Sequence, residues 1–384
     1  MLTPLTSVML PGCEHACNIT LRDGLISDIT PATYSGSSQW LAFPAFANLH
    51  AHADRSFTVT SFRPRSFADA LAESAKARGA FTAEDVQRRA TLFLERSLAH
   101  GVTRVRTHTD VDPVVGMNSI EGVLAAKVAM SDKIDVDVIA FSTSRNNLAG
   151  AEAVSRLKDA LDRKPGFLGL SINAAEDPKR TLEVLLDLAE ESGLPVDLHI
   201  DEHLVAGQMA APMAIKVIAA RDFGRRVTFS HLCALSALEA SDANALIEDI
   251  ARVGITVIAL PETNLFLQDR SDATPRRRGI TLVRELITAG VKVRFGTDNV
   301  RDWFFPFGDG DMLDTGMFAA VAAGIDDDAI LLAGLCDGRP ALAPGQLADF
   351  VLVPASSIED ALARRPAGRI VFKAGRQVAG PTSL

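Results

Sequence analysis

Between residues 43 and 298 the chain repeats one pattern eight times: a short apolar run rich in β-branched and aromatic residues, in most cases followed by a stretch of helical period. The runs are Phe43–His52, Val102–Asp110, Ile134–Phe141, Phe167–Asn173, Val196–Asp201, Arg226–Leu232, Ile255–Pro261 and Val291–Asp298. Helices are expected over Ala83–His100, Ser119–Met130, Ala151–Leu161, Arg180–Ser192, Ala234–Val253 and Arg277–Ala289. Gly101, Gly193, Gly254 and Gly290 sit just past helix ends, where a left-handed cap needs glycine. Eight strand–helix units predict an α/β fold, a (β/α)8 barrel of the TIM type. A doubly wound open sheet is the alternative, but no G-x-G-x-x-G follows the first run, which counts against a dinucleotide-binding version.

Both ends of the chain read differently. Residues 5–42 hold short apolar runs broken by Gly12, Gly24, Pro31 and Gly36, and residues 346–384 carry Ala348–Val353 and Gly368–Arg376. These are strands and turns. Neither end has enough apolar residues for a core of its own. They are expected to pair as one small β-sandwich domain, 1–42 with 345–384, beside a catalytic barrel domain of 43–344.

Composition narrows the function. Over 384 residues, 39 Lys and Arg against 48 Asp and Glu give a net charge of −9. That balance offers nothing to neutralise a run of phosphates, so no nucleic-acid partner is expected. No run of about 18 apolar residues occurs, so no membrane span is expected. Four sparse cysteines without a C-x-x-C pair argue against a disulfide scaffold or a zinc ribbon. Met9-Leu10-Pro11-Gly12-Cys13 faintly resembles a lipoprotein cleavage site, yet no basic segment precedes it and its apolar stretch is short and interrupted by Pro4. A cytoplasmic protein is the expectation, and the sequence is silent on oligomeric state.

The position of the polar residues points to chemistry. The first run ends in His50-Ala51-His52-Ala53-Asp54, the second in His108-Thr109-Asp110, the fifth in His199-Ile200-Asp201-Glu202-His203, the sixth in Ser230-His231 and the eighth in Asp298-Asn299. In a barrel the C-terminal strand ends converge on one mouth, where catalytic groups gather. His50 and His52 are two apart, so on a strand both imidazoles face the same way and suit one transition metal. By itself an H-x-H pair also fits a hydrogen-bonded surface pair, a lone His199 a satisfied core histidine, and Asp298 a helix cap. The segment His199–His203 also matches H-x-x-E-H, a metalloprotease pattern that requires a helix. Here it follows Leu194-Pro195-Val196-Asp197-Leu198, a strand, so that reading lacks its helix and His203 is placed at the rim.

Taken in order, these pieces resemble the amidohydrolase superfamily, and within it the cytosine deaminase branch. The resemblance runs through Pro44–Asp54, Arg106–Asp112, His199–Glu202, Ser230-His231, Pro261–Arg270, Asp298–Asp302, Gly308–Leu313 and Gly345–Asp349. It implies a distorted barrel with a β-sandwich built from both chain ends. It implies that His50, His52, His199 and Asp298 bind one divalent metal, zinc or iron with manganese possible. It implies that Glu202 shuttles a proton to the ring nitrogen, that His231 orients the metal-bound water, and that Asp298 also takes a proton from it. Binuclear relatives carry a carbamylated lysine at the fourth strand end. Here that strand reads Leu168-Gly169-Leu170-Ser171-Ile172-Asn173, without lysine, so one metal is expected.

The substrate is where the pattern departs. Cytosine deaminases place a glutamine after the third strand to read the pyrimidine edge, whereas this chain has Phe141-Ser142-Thr143-Ser144-Arg145. A site with different donors and acceptors rejects the wrong heterocycle. Substrate contacts are expected from Arg55, Thr143, Asn299 and Phe304. Arg145 and Arg301 are further cations that could face an acidic or carbonyl-rich ring, and Trp303 a further aromatic that could stack on it. The expected reaction is hydrolytic deamination of a flat nitrogen heterocycle (pyrimidine, pterin, purine or s-triazine), metal-bound hydroxide attacking a ring C–N carbon and releasing ammonia or an amine. The alternatives are hydrolysis of a cyclic amide or imide at the same metal site, and a non-catalytic barrel that only binds.

Overall fold

A computed structural model describes residues 3–32, 39–59, 61, 63–270 and 277–381. The chain opens with β1 (Thr3–Val8), β2 (Cys17–Arg22) and β3 (Leu25–Pro31), an antiparallel three-stranded sheet in the order β1-β2-β3. Gly36, expected to break the first β region, lies outside the described residues. β4 (Leu41–Pro44) pairs antiparallel with β13 (Phe350–Val353), which pairs with β14 (Ile370–Lys373), which pairs with β15 (Arg376–Ala379). The two sheets share one apolar cluster. Leu5, Val8, Ile19, Leu21 and Ile26 from the first pack with Ala42, Phe350, Leu352, Ile370 and Phe372 from the second. The Phe350 and Phe372 rings stack at 4.5 Å.

The central sheet is β5 (Phe46–Ala51), β6 (Val102–Val111), β7 (Asp135–Ser142), β8 (Phe167–Ser171), β9 (Val196–Ile200), β10 (Val227–His231), β11 (Thr256–Ala259) and β12 (Val293–Phe295). All eight are parallel and hydrogen-bonded in sequence order. The barrel closes just past β12, where Asp298 N–H donates to the His50 carbonyl at 2.8 Å and His52 N–H donates to the Asp298 carbonyl at 3.2 Å. The closing hydrogen bonds therefore run through the residues of the site. Gly296 permits this approach, because a Cβ there would lie 2.7 Å from both the Cβ and the carbonyl oxygen of His50.

Around the barrel run α1 (Phe67–Arg78), α2 (Ala83–Ala99), α3 (Asn118–Ala129), α4 (Ala151–Leu161), α5 (Pro178–Ser192), α6 (Ala211–Ala220), α7 (Ala240–Val253), α8 (Pro261–Leu267), α9 (Val283–Thr288), α10 (Met312–Ala323), α11 (Asp328–Leu335) and α12 (Ile358–Arg364). Gly193 and Gly254 occupy left-handed caps at φ 72° and 82°, the conformation that costs glycine least.

Several expected boundaries move. The run 43–52 is two strands, because the chain leaves the outer sheet at Pro44 and enters the barrel at Phe46. The helix expected from Arg277 begins at Val283, since Gly279 takes φ 63° and the chain runs irregularly to Leu282. The helix expected from Ala234 begins at Ala240, after a separate 3-10 turn over Cys233–Ala237. Among the described residues no helix is long and apolar enough to cross a membrane.

Candidate active site

Five side chains from the barrel strands meet in the floor of the mouth. His50 and His52 come from the end of β5, His199 from β9, His231 from β10 and Asp298 from just past β12. His231 and Asp298 adopt left-handed backbone at φ 76° and 59°, a conformation that costs non-glycine residues energy and that clusters at functional sites. His52 Nε2 lies 3.2 Å from His199 Nε2 and 3.2 Å from Asp298 Oδ1, and His50 Nε2 lies 3.5 Å from the same oxygen. Donor atoms bound at about 2.0–2.1 Å around a tetrahedral metal stand about 3.3 Å apart, so these spacings fit a cation between them. The electrostatics agree. Burial lowers His50 to about 4 and takes His52 and His199 well below their usual value, leaving neutral imidazoles. Burial alone would raise Asp298, but the surrounding imidazoles of His50, His52 and His231 outweigh it and hold the carboxylate well below its usual range. Neutral imidazole and ionised carboxylate are the forms that bind metal. His50 Nε2, buried and without a hydrogen-bond partner among the described residues, is an orphan that a metal would satisfy.

His108 from β6 also reaches this cluster. Its ligand atom lies within 4.8 Å of those of His50, His52 and His199, as do those of His50, His199, His231 and Asp298 among themselves. Its Nε2 instead faces Asp197 Oδ1 at 3.3 Å, which aims the ring toward a carboxylate deeper in the barrel.

A cavity, open at its mouth, sits above the floor and is lined by His199, Glu202, His231 and Asp298. Glu202 Oε2 is 3.7 Å from His231 Nε2. Burial raises Glu202 to about 7; His231 opposes the rise and Asp298 adds to it. On its other side His231 Nδ1 lies 3.1 Å from Asn264 Oδ1 of α8. The four expected substrate contacts all line the cavity. Arg55 lies 3.3 Å from Asp302 and 3.8 Å from Asp110, with its guanidinium 4.7 Å over the Phe304 ring. The Thr143 hydroxyl donates to Asp112 at 2.9 Å, and the Asn299 amide donates to Asp302 at 2.7 Å. Both therefore spend polar capacity on the protein. Arg145 lines the cavity too. Arg301 does not: it pairs with Asp309 at 3.2 Å. Trp303 is buried in the main core. His203 stays at the rim, 3.0 Å from the Asn173 amide.

One wall comes from α1, which the sequence reading left unassigned. Phe67, Leu71, Ser74 and Arg78 are spaced 4, 3 and 4 residues apart, on one helical face, and all four line the cavity. Ser66 caps the helix by accepting from Asp69 N–H at 3.1 Å. Arg78 ties its other end to the barrel, 2.5 Å from Asp112 and 2.9 Å from Asp110. The cap and the acidic first turn were visible in Ser66-Phe67-Ala68-Asp69, but the small residues Ala70, Ala72, Ala75 and Ala77 dilute the apolar period.

Comparison with known proteins agrees with this architecture. The amidohydrolase family (Amidohydro_3) matches residues 67–379. A pterin deaminase of Rhizobium rhizogenes is 30% identical, with 94% of this chain and 87% of the relative aligned. A 5-methylcytosine deaminase structure from Klebsiella pneumoniae superposes with a TM-score of 0.89 at 24% identity, covering 100% of this chain and 98% of the other. An N-isopropylammelide isopropylaminohydrolase structure from Burkholderia multivorans gives 0.81 at 25%, covering 98% and 99%.

Proposed function

The chain belongs to the amidohydrolase family, and we propose that it is a metal-dependent hydrolytic deaminase of a flat nitrogen heterocycle. The observation that carries this reading is the meeting of three neutral imidazoles and an ionised carboxylate directly beside a carboxyl group poised near neutrality. His50, His52, His199 and Asp298 would hold one divalent ion, zinc or iron. Such an ion lowers the pKa of a water from 15.7 toward 7, so that hydroxide is available near neutral pH.

The chain's own residues supply the rest. Asp298 accepts the proton that the attacking water gives up. Glu202, raised to about 7, is protonated in useful amount at neutral pH and donates to the ring nitrogen next to the attacked carbon. His231, close to Glu202 and backed by Asn264, orients the water. The proton held by Asp298 passes to the amine, the proton of the added hydroxyl returns to Glu202, and the C–N bond breaks: water plus ring N=C–NH2 gives ring HN–C=O plus ammonia. Arg55 and Phe304 wall the ring, and Thr143, Arg145 and Asn299 face its edge. The pterin deaminase relative makes an aminopterin the first substrate to test.

The likeness to the N-isopropylammelide enzyme favours a second reading, release of an alkylamine rather than ammonia from a triazine. The test is release of ammonia and of alkylamine by metal-analysed protein against aminopterins, aminopyrimidines, aminopurines and N-alkyl triazines. Ammonia from one ring class, abolished in Glu202→Gln with the metal still bound, is expected. A Glu202→Gln protein of near-normal activity would remove Glu202 from the mechanism. Ring opening without amine release would replace deamination by cyclic-amide hydrolysis.

A further inference from the structure

Below the metal floor the barrel interior holds a carboxylate that the deamination chemistry does not use. Asp197 lies two residues before His199 on β9, so both side chains face the interior. Asp197 has no solvent exposure. Burying a carboxylate costs several kcal/mol unless its partners repay it, and an aliphatic side chain would fill the same layer. Its partners are specific. Arg106 Nη1 lies 3.3 Å from Oδ2, His108 Nε2 lies 3.3 Å from Oδ1, and the Ser230 hydroxyl donates to Oδ1 at 2.8 Å. The parallel register of β9 and β10 sets Ser230 opposite His199, which brings the serine between Asp197 and His50. Ser230 Oγ is then 2.9 Å from His50 Nδ1.

We propose that Asp197 and Ser230 form a buried relay that fixes the imidazole of His50 with its Nε2 lone pair toward the metal. This rests on the reading of His50 as a metal ligand. The direction of each hydrogen bond follows from the donor inventory. An ionised carboxylate only accepts, and a serine hydroxyl has one proton. That proton goes to Asp197, so Ser230 Oγ must accept from the other side, and the donor there is His50 Nδ1–H. The remaining nitrogen, Nε2, is the one that stands 3.5 Å from Asp298 Oδ1. Arg106 beside Oδ2 and the Ser230 hydroxyl on Oδ1 favour the ionised carboxylate that this direction needs. Asp197 and Ser230 are positioning residues: they touch neither metal nor substrate and act through the ring of His50. Outer partners of this kind are worth about 10–100-fold in metal affinity.

Asp197→Asn gives the sharper test, because it keeps the volume and can reverse the relay. Arg106 holds an acceptor at one end of the amide, which turns the amide NH2 toward Ser230. The serine must then accept from Asn and donate to His50 Nδ1, which moves the ring proton to Nε2. The experiment compares zinc affinity, by competition with a chromogenic chelator, and the ring nitrogen resonances of ¹⁵N-histidine-labelled protein. The set is wild type, Ser230→Ala, Asp197→Asn and His50→Ala, the last serving also to assign His50. Expected results are a His50 ring protonated at Nδ1 in wild type, a proton shifted to Nε2 in metal-free Asp197→Asn, and zinc affinity 10–100-fold weaker in both relay variants. The relay is overturned if the wild-type ring carries its proton on Nε2, or if folded Asp197→Asn binds zinc within twofold of wild type. If Ser230→Ala does not fold, the wild-type spectrum and Asp197→Asn still decide. Failure of the metal reading looks different: wild type takes up no zinc, or His50→Ala binds it as tightly as wild type.

Discussion

Glu262 lies in the first turn of α8, 4% exposed, with its carboxyl against the hydroxyl of Thr315 on α10. Burial raises it from 4.5 to about 8; the Thr315 hydrogen bond opposes the rise, and Asp314 and Asp311 reinforce it. At neutral pH the folded protein therefore holds a neutral carboxylic acid there. The folded-state value is raised, so the penalty is absent below 4.5, where both states are protonated. It grows as pH rises, because the unfolded chain ionises first, and it is complete above about 8. The interval 8 − 4.5 = 3.5, at 1.36 kcal/mol for each, gives about 5 kcal/mol as the largest effect and about 2 kcal/mol at pH 6. Glu262→Gln keeps the shape and the acceptor for Thr315 while removing the ionisation. Its stability relative to wild type should be near zero at pH 4.5 and should rise steadily to pH 8. Urea unfolding at pH 5, 6, 7 and 8, with refolding checked, reads the difference. A difference that stays flat with pH would mean that Glu262 is ionised in the folded state, and the burial argument would fail.

Three further perturbations follow. Arg78→Met leaves Asp110 and Asp112 buried without their shared cation; it should cost about 3–5 kcal/mol and speed hydrogen exchange in α1, and an unchanged urea midpoint would contradict this. Gly296→Ala forces a methyl against the His50 backbone; a loss of about 1–3 kcal/mol with reduced metal content per chain is expected, and full metal content would show that the closure can relax. Glu202 must be protonated to act as the acid, so kcat/KM should fall as pH rises through about 7; a profile level to pH 9 would contradict that role.

The barrel was legible because each strand is buried on both faces and therefore reads as a continuous apolar run, a signal that survives boundary errors of a few residues. What was not legible came from elements whose pattern is set by the tertiary frame. α1 faces the mouth with Phe67, Leu71, Ser74 and Arg78 and fully buries only Ala70, Ser74 and Arg78, so its apolar period is weak. α8 is seven residues long and begins at a proline directly after a strand, which reads as strand end. The interior offset at Ala45 turns one apolar run into strands of two different sheets.

The same contrast holds within the site. His50, His52, His199, His231 and Asp298 stand out because histidine and aspartate are unusual at the ends of apolar runs, and the structure brings all five together. Arg301 and Trp303 were picked on residue type alone, and the fold turns one to Asp309 and the other into the core. Asp197 was written plainly in Val196-Asp197-Leu198-His199. Two residues before a histidine that faces the interior, it must face the interior too. A charge placed there has to be neutralised by groups from other strands, and the sequence does not say which. That answer needs the register: Ser230 beside His199, Arg106 and His108 from β6, and His50 across the closure. A buried charge in a strand is thus a sequence-level sign that a layer of partners exists, while the identity of that layer is a property of strand alignment alone.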